Sequence, residues 1–192
     1  MIIPFENLCW LFKGGSESRG VCRLNLEEAA YLYSCIKSMN ESVCVEIGRY
    51  YGGSTAILLA TGAKVITIDN YCKDKTGSIE HEERLLKWFE DVGGTNDKIK
   101  IIIADSTTYD TSDLDIDVLF IDGDHSYEGV SKDFNNWFGC LKIGGSIFFH
   151  DCKTEGVEKV ISENANLLNK INIASTLFHA EKRLLEAWET TR

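Results

Sequence analysis

The chain has 192 residues, 44% of them hydrophobic and 26% charged, with a formal net charge of −10 at neutral pH. This length holds one sizeable core, and the composition excludes a disordered chain. The acidic balance repels phosphate backbones and anionic lipid, so neither nucleic acid nor a membrane surface is expected as a partner.

Residues 1–24 carry no regular pattern. Trp10, Leu11 and Phe12 precede a Gly/Ser-rich stretch, and are candidates for a lid or for packing on a second copy, a homodimer. A helix is expected after Asn25, a good N-cap, with Glu28 three residues on completing a capping box. Leu26, Ala29, Tyr33 and Ile36 then share a face. An alternation begins at residue 43. Residues 43–47 read as a strand and 54–60 as a helix. Residues 65–68 form a strand, followed by a helix over 79–92 with Leu85, Leu86 and Phe89 inward. Strands follow at 101–104 and 118–121. A helix over 126–141 turns Tyr127, Val130, Phe134, Trp137 and Leu141 to one side. A strand at 146–149 and a helix at 155–163 complete the series.

The apolar runs are continuous, as expected of strands covered on both faces. Strand–helix alternation of this kind implies a parallel sheet. Residues 171–179 and 183–189 are strand-like with no room for a helix between them, so they should form an antiparallel hairpin. The fold expected is α/β and Rossmann-like, a doubly wound, mostly parallel seven-stranded sheet with a C-terminal antiparallel hairpin. One domain should span 1–192, with an N-terminal segment and helix over 1–42 and the core over 43–192.

The cysteines, at 9, 22, 35, 44, 72, 140 and 152, form no C-x-x-C pair. Their scatter reads as reduced thiols, hence a cytoplasmic setting. The sequence shows no basic-then-apolar leader and no apolar run long enough to cross a bilayer.

The chemistry gathers after the strands. Glu46-Ile47-Gly48 leads to Gly52, Gly53 and Ser54 at the end of the first strand. Glycines there let a backbone lie flush against a ligand, at the sheet edge where open α/β folds bind one. The second strand ends in Asp69, whose carboxylate offers two acceptor oxygens to a ribose. Asp105 and Ser106 follow the third strand, as ligand contacts or as a capped turn. Asp122 and Asp151 end two further strands, with Asp124 close by. Converging carboxylates repel one another, and a divalent cation would relieve them; otherwise they cap helices and bind substrate hydroxyls directly. His125 titrates near neutrality and can take a hydroxyl proton, or it bonds the backbone at the next helix start. His150 is an alternative base, although strand alternation points it toward the sheet–helix interface. His81 and His179 read as structural or surface residues.

Together these residues resemble a class I S-adenosylmethionine-dependent methyltransferase over residues 43–190. Glu46-Ile47-Gly48 with Gly52 resembles that family's first motif, and Asp69 stands at its ribose-binding carboxylate. Ala104-Asp105-Ser106 resembles the segment beside the adenine. The run from Phe120 through Asp122, Gly123, Asp124, His125, Ser126, Tyr127, Glu128 and Gly129 to Val130 resembles the fourth motif of one branch. That branch holds macrocin- and sugar-type O-methyltransferases and relatives of the cephalosporin-hydroxylase type. Leu141-Lys142-Ile143-Gly144-Gly145, then Phe148-Phe149-His150-Asp151, extends the match, with Ile143 where the family usually has proline.

The resemblance implies S-adenosylmethionine held by Glu46, Gly48, Gly52, Ser54, Asp69, Asp105, Ser106 and Asp122. Tyr50, Tyr51 or Tyr71 would offer a π face to the sulfonium. Metal-dependent catechol-type relatives hold Mg²⁺ at positions matching Asp122 and Asp151. Their third ligand is Asn or Asp, whereas this chain has Cys152, and a thiolate is a poor Mg²⁺ ligand; Asp124 or a water would complete the shell. His125 lies where those enzymes carry a catalytic lysine. The implied reaction is O-methylation of a small hydroxylated acceptor, with His125 and Asp122 catalytic and residues 10–12 and 71–77 as lids. A nicotinamide dehydrogenase would want G-x-G-x-x-G, and the spacing of Gly48 and Gly52 does not supply it. A non-catalytic cofactor-binding module and a hydroxylase-like relative of the same fold are the alternatives.

Overall fold

The structure, a computed structural model, describes residues 1–12, 21–39, 41–70 and 75–184, the side chains of 75–79 excepted. After a 3₁₀ turn at Phe5–Phe12 come α1 (Leu26–Lys37), β1 (Val43–Ile47), α2 (Gly53–Ala60), β2 (Lys64–Asp69) and α3 (Lys75–Asp91). Then follow β3 (Ile99–Ile103), β4 (Ile116–Ile121), α4 (Tyr127–Trp137), β5 (Leu141–Phe149), α5 (Glu155–Glu163), β6 (Leu168–Ala174) and β7 (Leu177–Lys182). The strands make one seven-stranded sheet in the order β3-β2-β1-β4-β5-β7-β6. The first five run parallel, and β7 is antiparallel to both β5 and β6. This is the expected fold class.

Alternate residues of each central strand enter different cores. Cys44, Val65, Val118, Phe120 and Phe148 face α1, α2 and α3, packing with Leu32, Ile36, Ile57, Leu58 and Leu85. Val45, Ile47, Ile68, Leu119, Ile121 and Phe149 face α4 and α5, packing with Val130, Phe134, Trp137, Val157 and Val160. Two covered faces explain why the strand runs are apolar without alternation.

The capping box of α1 is present: Asn25 Oδ1 accepts from the Glu28 amide at 3.0 Å, and Glu28 Oε2 accepts from the Asn25 amide at 2.9 Å. The hairpin is also present, but its turn lies at Ser175–Thr176 rather than at 180–182. Ser175 takes the left-handed conformation, φ 56°. The Ala-Glu-Lys link is the end of β7 and is fully paired: Ala180 and Glu181 lie between β5 and β6, and Lys182 pairs with Leu168. The expected strand at 183–189 lies largely outside the described residues. β5 begins at Leu141, five residues earlier than expected, and crosses an irregularity opposite Ile116–Val118. Gly144 (φ 75°) reads locally as a turn but is part of that irregularity.

Two side-chain expectations are also corrected. Tyr127 is 40% exposed; its hydroxyl donates to Glu163 at 2.8 Å, and Lys159 sits 3.9 Å over its ring. Its position at the first residue of α4 puts it beyond the sheet edge. Leu11 is buried in the chain's own core with Leu8, because the 3₁₀ turn carries both to one side, so it is not a surface for a second copy. Trp10 stays 39% exposed beside Trp88. Among the described residues no helix is long and apolar enough to cross a membrane.

Candidate functional site

The sheet register builds a rim. Ile47 pairs with Ile68 on one side and Ile121 on the other, Asp69 pairs with Ile103, and Ile121 pairs with Phe149. The ladder runs one residue past the strands: the Gly48 amide donates to Ile68 O at 3.0 Å, Asp122 to Ile47 O at 2.8 Å, His150 to Ile121 O at 3.1 Å and Ala104 to Asp69 O at 3.2 Å. Gly48, Asp69, Asp105, Asp122 and His150 therefore emerge along one edge. Strand order reverses between β1 and β4, where open sheets bind ligands. Gly48 has φ 89°, and a Cβ there would lie 2.2 Å from the Asp122 carbonyl oxygen. The close approach of the β1 turn to the β4 end thus requires glycine.

The β1 turn is anchored from below. Glu46 is buried on the α2 side of the sheet and accepts from Ser54 at 2.5 Å, Thr55 at 2.6 Å and Thr67 at 2.7 Å. Burial pushes the Glu46 carboxyl above its ordinary range, against those three hydroxyls. Glu46 and Ser54 therefore meet each other and hold the start of α2 to β1 and β2. At the rim, Asp69 Oδ2 accepts from the amides of Arg49 at 3.0 Å and Tyr50 at 2.9 Å, which fixes the carboxylate against the turn. Tyr51 stacks between Tyr50 and His81, both at 3.8 Å, and the Arg23 guanidinium sits 4.9 Å over Tyr50. Tyr71 lies outside the described residues, as do residues 72–74 of the expected lid.

Asp105 caps its own turn through Thr107. Ser106 turns inward and donates to Asp133 of α4 at 2.6 Å. Burial, with the charges of Asp105 and Asp124 adding to it, raises the Asp133 carboxyl to about 6 against the Ser106 bond. Asp133 escapes a sequence reading because its helical position looks like a solvated face.

The acidic end of the rim is an Asp–His network. His150 Nδ1 is 2.9 Å from Asp122 Oδ1, and its Nε2 is 3.3 Å from Glu28 Oε2. His125 Nε2 is 3.4 Å from Asp122 Oδ1, and its Nδ1 is 3.5 Å from Asp151 Oδ2. Asp151 has φ 49°. Asp124 caps the start of α4 through Ser126. Burial disfavours charge on His150, yet the bonds to Asp122 and Glu28 outweigh it and raise the ring to about 10. The bond to Asp122 raises His125 above its ordinary value, against partial burial. Glu28 also accepts from Thr176 N at 2.9 Å and Oγ1 at 2.6 Å. Burial works against its charge, but the bonds from His150, Thr176 and Asn25 prevail and lower it to about 2. Sequence reasoning assigned Glu28 only to the capping box; no local signal reveals its second role.

The comparisons with known proteins agree with this geometry. Residues 45–152 match a family model described as a methyltransferase domain. The chain belongs to this family, the class I methyltransferases dependent on S-adenosylmethionine. Uncharacterized protein R132 of Acanthamoeba polyphaga mimivirus is 35% identical over 112 residues, which are 56% of this chain and 50% of that protein. The methyltransferase chain thus spans about half the length of that curated relative. Among solved structures, it is similar to CalS11, a TDP-rhamnose 3'-O-methyltransferase of calicheamicin biosynthesis, with TM-score 0.64, 12% identity, and 80% and 76% of the two chains covered. It is also similar to the S-adenosylhomocysteine-bound methyltransferase PaMTH1 of Podospora anserina, with TM-score 0.63, 14% identity, and 81% and 78% covered. At these identities the structures establish the shared fold.

The methyltransferase rim fits a ribose-bearing donor: a glycine turn, a fixed carboxylate on the adjacent strand, and a further carboxylate at the β4 end. It does not fit Mg²⁺ in the same way. Mg²⁺ takes oxygen ligands in a near-octahedral shell. Here the atoms that converge are one carboxylate oxygen of Asp122 and ring nitrogens of His125 and His150. Cys152, at the third family ligand position, is turned into the apolar core.

Proposed function

We propose that this domain methylates a hydroxyl of a small acceptor, using S-adenosylmethionine. The observation that carries the reading is the placement of the glycine turn, Asp69 and the Asp122–His125 pair on consecutive strand ends of one rim. In this reading the Gly48–Gly52 turn receives the amino-acid part of the donor, and Asp69 accepts from the ribose hydroxyls. Asp105 and Ser106 border the adenine. When bound, the donor supplies an electrophilic methyl group on a sulfonium.

Asp122 orients the acceptor hydroxyl, and His125, whose side chain is 37% exposed, takes its proton as the oxygen attacks. Asp122 and Asp151 hold the imidazole toward the rim. The carboxylates raise the affinity of His125 for a proton, so the neutral, accepting ring is favoured at higher pH. Most of the barrier reduction then comes from alignment and exclusion of water. Among the described residues Cys9, Cys22, Cys35, Cys44, Cys140 and Cys152 are free thiols, which supports a reducing, cytoplasmic setting.

Calorimetric titration with S-adenosylhomocysteine tests the donor half, and no heat at high micromolar ligand would sink it. Methyl transfer to a panel of sugars, nucleotide sugars and catechols tests the acceptor half. A nucleotide sugar is the first choice, because CalS11 is a TDP-rhamnose methyltransferase. Binding of the product without turnover on any acceptor would instead favour a non-catalytic binding module.

A further inference from the structure

We infer that Asp122, His125 and His150 form a site for a divalent first-row transition cation that prefers nitrogen ligands, in place of the Mg²⁺ of the catechol-type relatives. One ligand atom from each residue lies within 4.8 Å of the others. Neighbouring donors around a tetrahedral ion with bonds of 2.0–2.1 Å are about 3.3 Å apart. Asp122 Oδ1 is 3.4 Å from His125 Nε2 and 2.9 Å from His150 Nδ1, on either side of that value.

A second observation is independent of those distances. Each imidazole has its other nitrogen against a carboxylate. His150 Nε2 faces Glu28 at 3.3 Å, and His125 Nδ1 faces Asp151 Oδ2 at 3.5 Å, the same oxygen lying 3.6 Å from His150 Nδ1. Metal-binding histidines are held in this way, with the far N–H on a carboxylate; at His150 the ion would displace the proton that Nδ1 shares with Asp122. Glu28 is itself fixed by Asn25 and Thr176, and His150 is only 7% exposed. The ring therefore has one available orientation.

In this assignment Asp151 is an orienting group rather than a ligand. Two imidazoles and one carboxylate suit Zn²⁺, Fe²⁺, Co²⁺ or Ni²⁺ better than Mg²⁺. Cys152 does not compete, since it packs in the core. The use of the ion rests on the proposed reaction: it would acidify the acceptor hydroxyl, whose proton would then leave to solvent water, with His125 serving as a ligand in place of its role as base. Its binding does not rest on that reaction and is measured with neither donor nor acceptor present.

The experiment uses the full chain, stripped with chelator and dialysed, then titrated with Co²⁺ while visible absorption is followed. One Co²⁺ per chain is expected, with weak d–d bands, displaced by Zn²⁺ and not by millimolar Mg²⁺. His125→Asn, at a half-exposed position, should weaken Co²⁺ binding at least a hundredfold, and Asp151→Asn about tenfold, as for an outer-shell partner. His150→Gln should match His125→Asn; should it fail to fold, His125→Asn decides alone. The assignment is overturned by absence of the bands, by Mg²⁺ displacing Co²⁺, by binding unchanged in His125→Asn, or by intense thiolate charge-transfer bands placing the ion on cysteine. Any of these would leave S-adenosylhomocysteine binding untouched, so the two readings fail separately.

Discussion

Glu28 and His150 stand 122 residues apart in the chain and meet at 3.3 Å through Glu28 Oε2 and His150 Nε2. The contact ties the first turn of α1 to the end of β5, directly behind the acidic rim. Glu28 Oε1 also holds Thr176, at the hairpin turn. One buried carboxylate thus joins the N-terminal helix, the C-terminal hairpin and the site.

Glu28→Gln keeps the shape and removes the charge facing His150. A loss of about 1–3 kcal/mol is expected, the cost of leaving a buried polar group imperfectly paired. Urea unfolding at neutral pH measures it. A variant as stable as the parent would show that the pair contributes nothing.

Asp69→Asn retains an oxygen to accept from the Arg49 and Tyr50 amides and loses the carboxylate. Affinity for S-adenosylhomocysteine should fall ten- to a hundredfold, since hydrogen bonds to charged groups contribute about 1.5–3 kcal/mol. The melting temperature should stay near that of the parent. Unchanged affinity in calorimetry would remove Asp69 from the donor site.

Gly48→Ala should be severely destabilising. The new Cβ would lie 2.2 Å from a backbone oxygen at a residue with φ 89°, and neither the β4 end nor the turn can yield without breaking the rim. Gly139→Ala is the control, with nothing within 4 Å of its Cβ; its effect should be within about 0.5 kcal/mol. Thermal melts of both distinguish a close approach from a merely flexible turn. Equal melting temperatures would contradict the close approach.

One contribution to stability, that of His179, should be lost as pH drops below neutrality, while Asp133, raised to about 6, acts in the opposite sense. Burial lowers this ring from 6.5 to about 4. It stacks on Phe148 at 4.1 Å and meets Tyr31 and Ser146. The folded state keeps the ring neutral while the unfolded chain takes up a proton below 6.5. The neutral ring's contribution is therefore complete above 6.5 and is lost as pH falls toward 4, by an amount on the order of 3 kcal/mol. In His179→Gln the slope of unfolding free energy against pH between those values should drop by the share this ring contributes, leaving the opposing share of Asp133. An unchanged slope would mean that the ring titrates normally.

The order of elements and the contents of the rim were legible in the one-dimensional pattern. Continuous apolar runs mark strands covered on both faces, and helical periodicity marks what covers them. Glycines at 48 and 52 and aspartates at 69, 122 and 151 follow strand ends, so a parallel sheet brings them to one edge. The hairpin was legible as a hairpin, but its turn was not. Ser175–Thr176 sits inside the run 171–179 that reads as one strand, and pairing of β7 with both β5 and β6 selects it as the turn.

The sequence by itself determined the α/β architecture, the family and the edge at which chemistry occurs, because each follows from local periodicity and from residues adjacent to strand ends. Only the tertiary structure decided that Glu46 faces α2, that Cys152 turns into the core, and that Glu28 and Asp151 hold the two imidazoles at Asp122. These are relations between side chains far apart in the chain. Their distances come from strand register and helix packing, and no spacing along the chain encodes them.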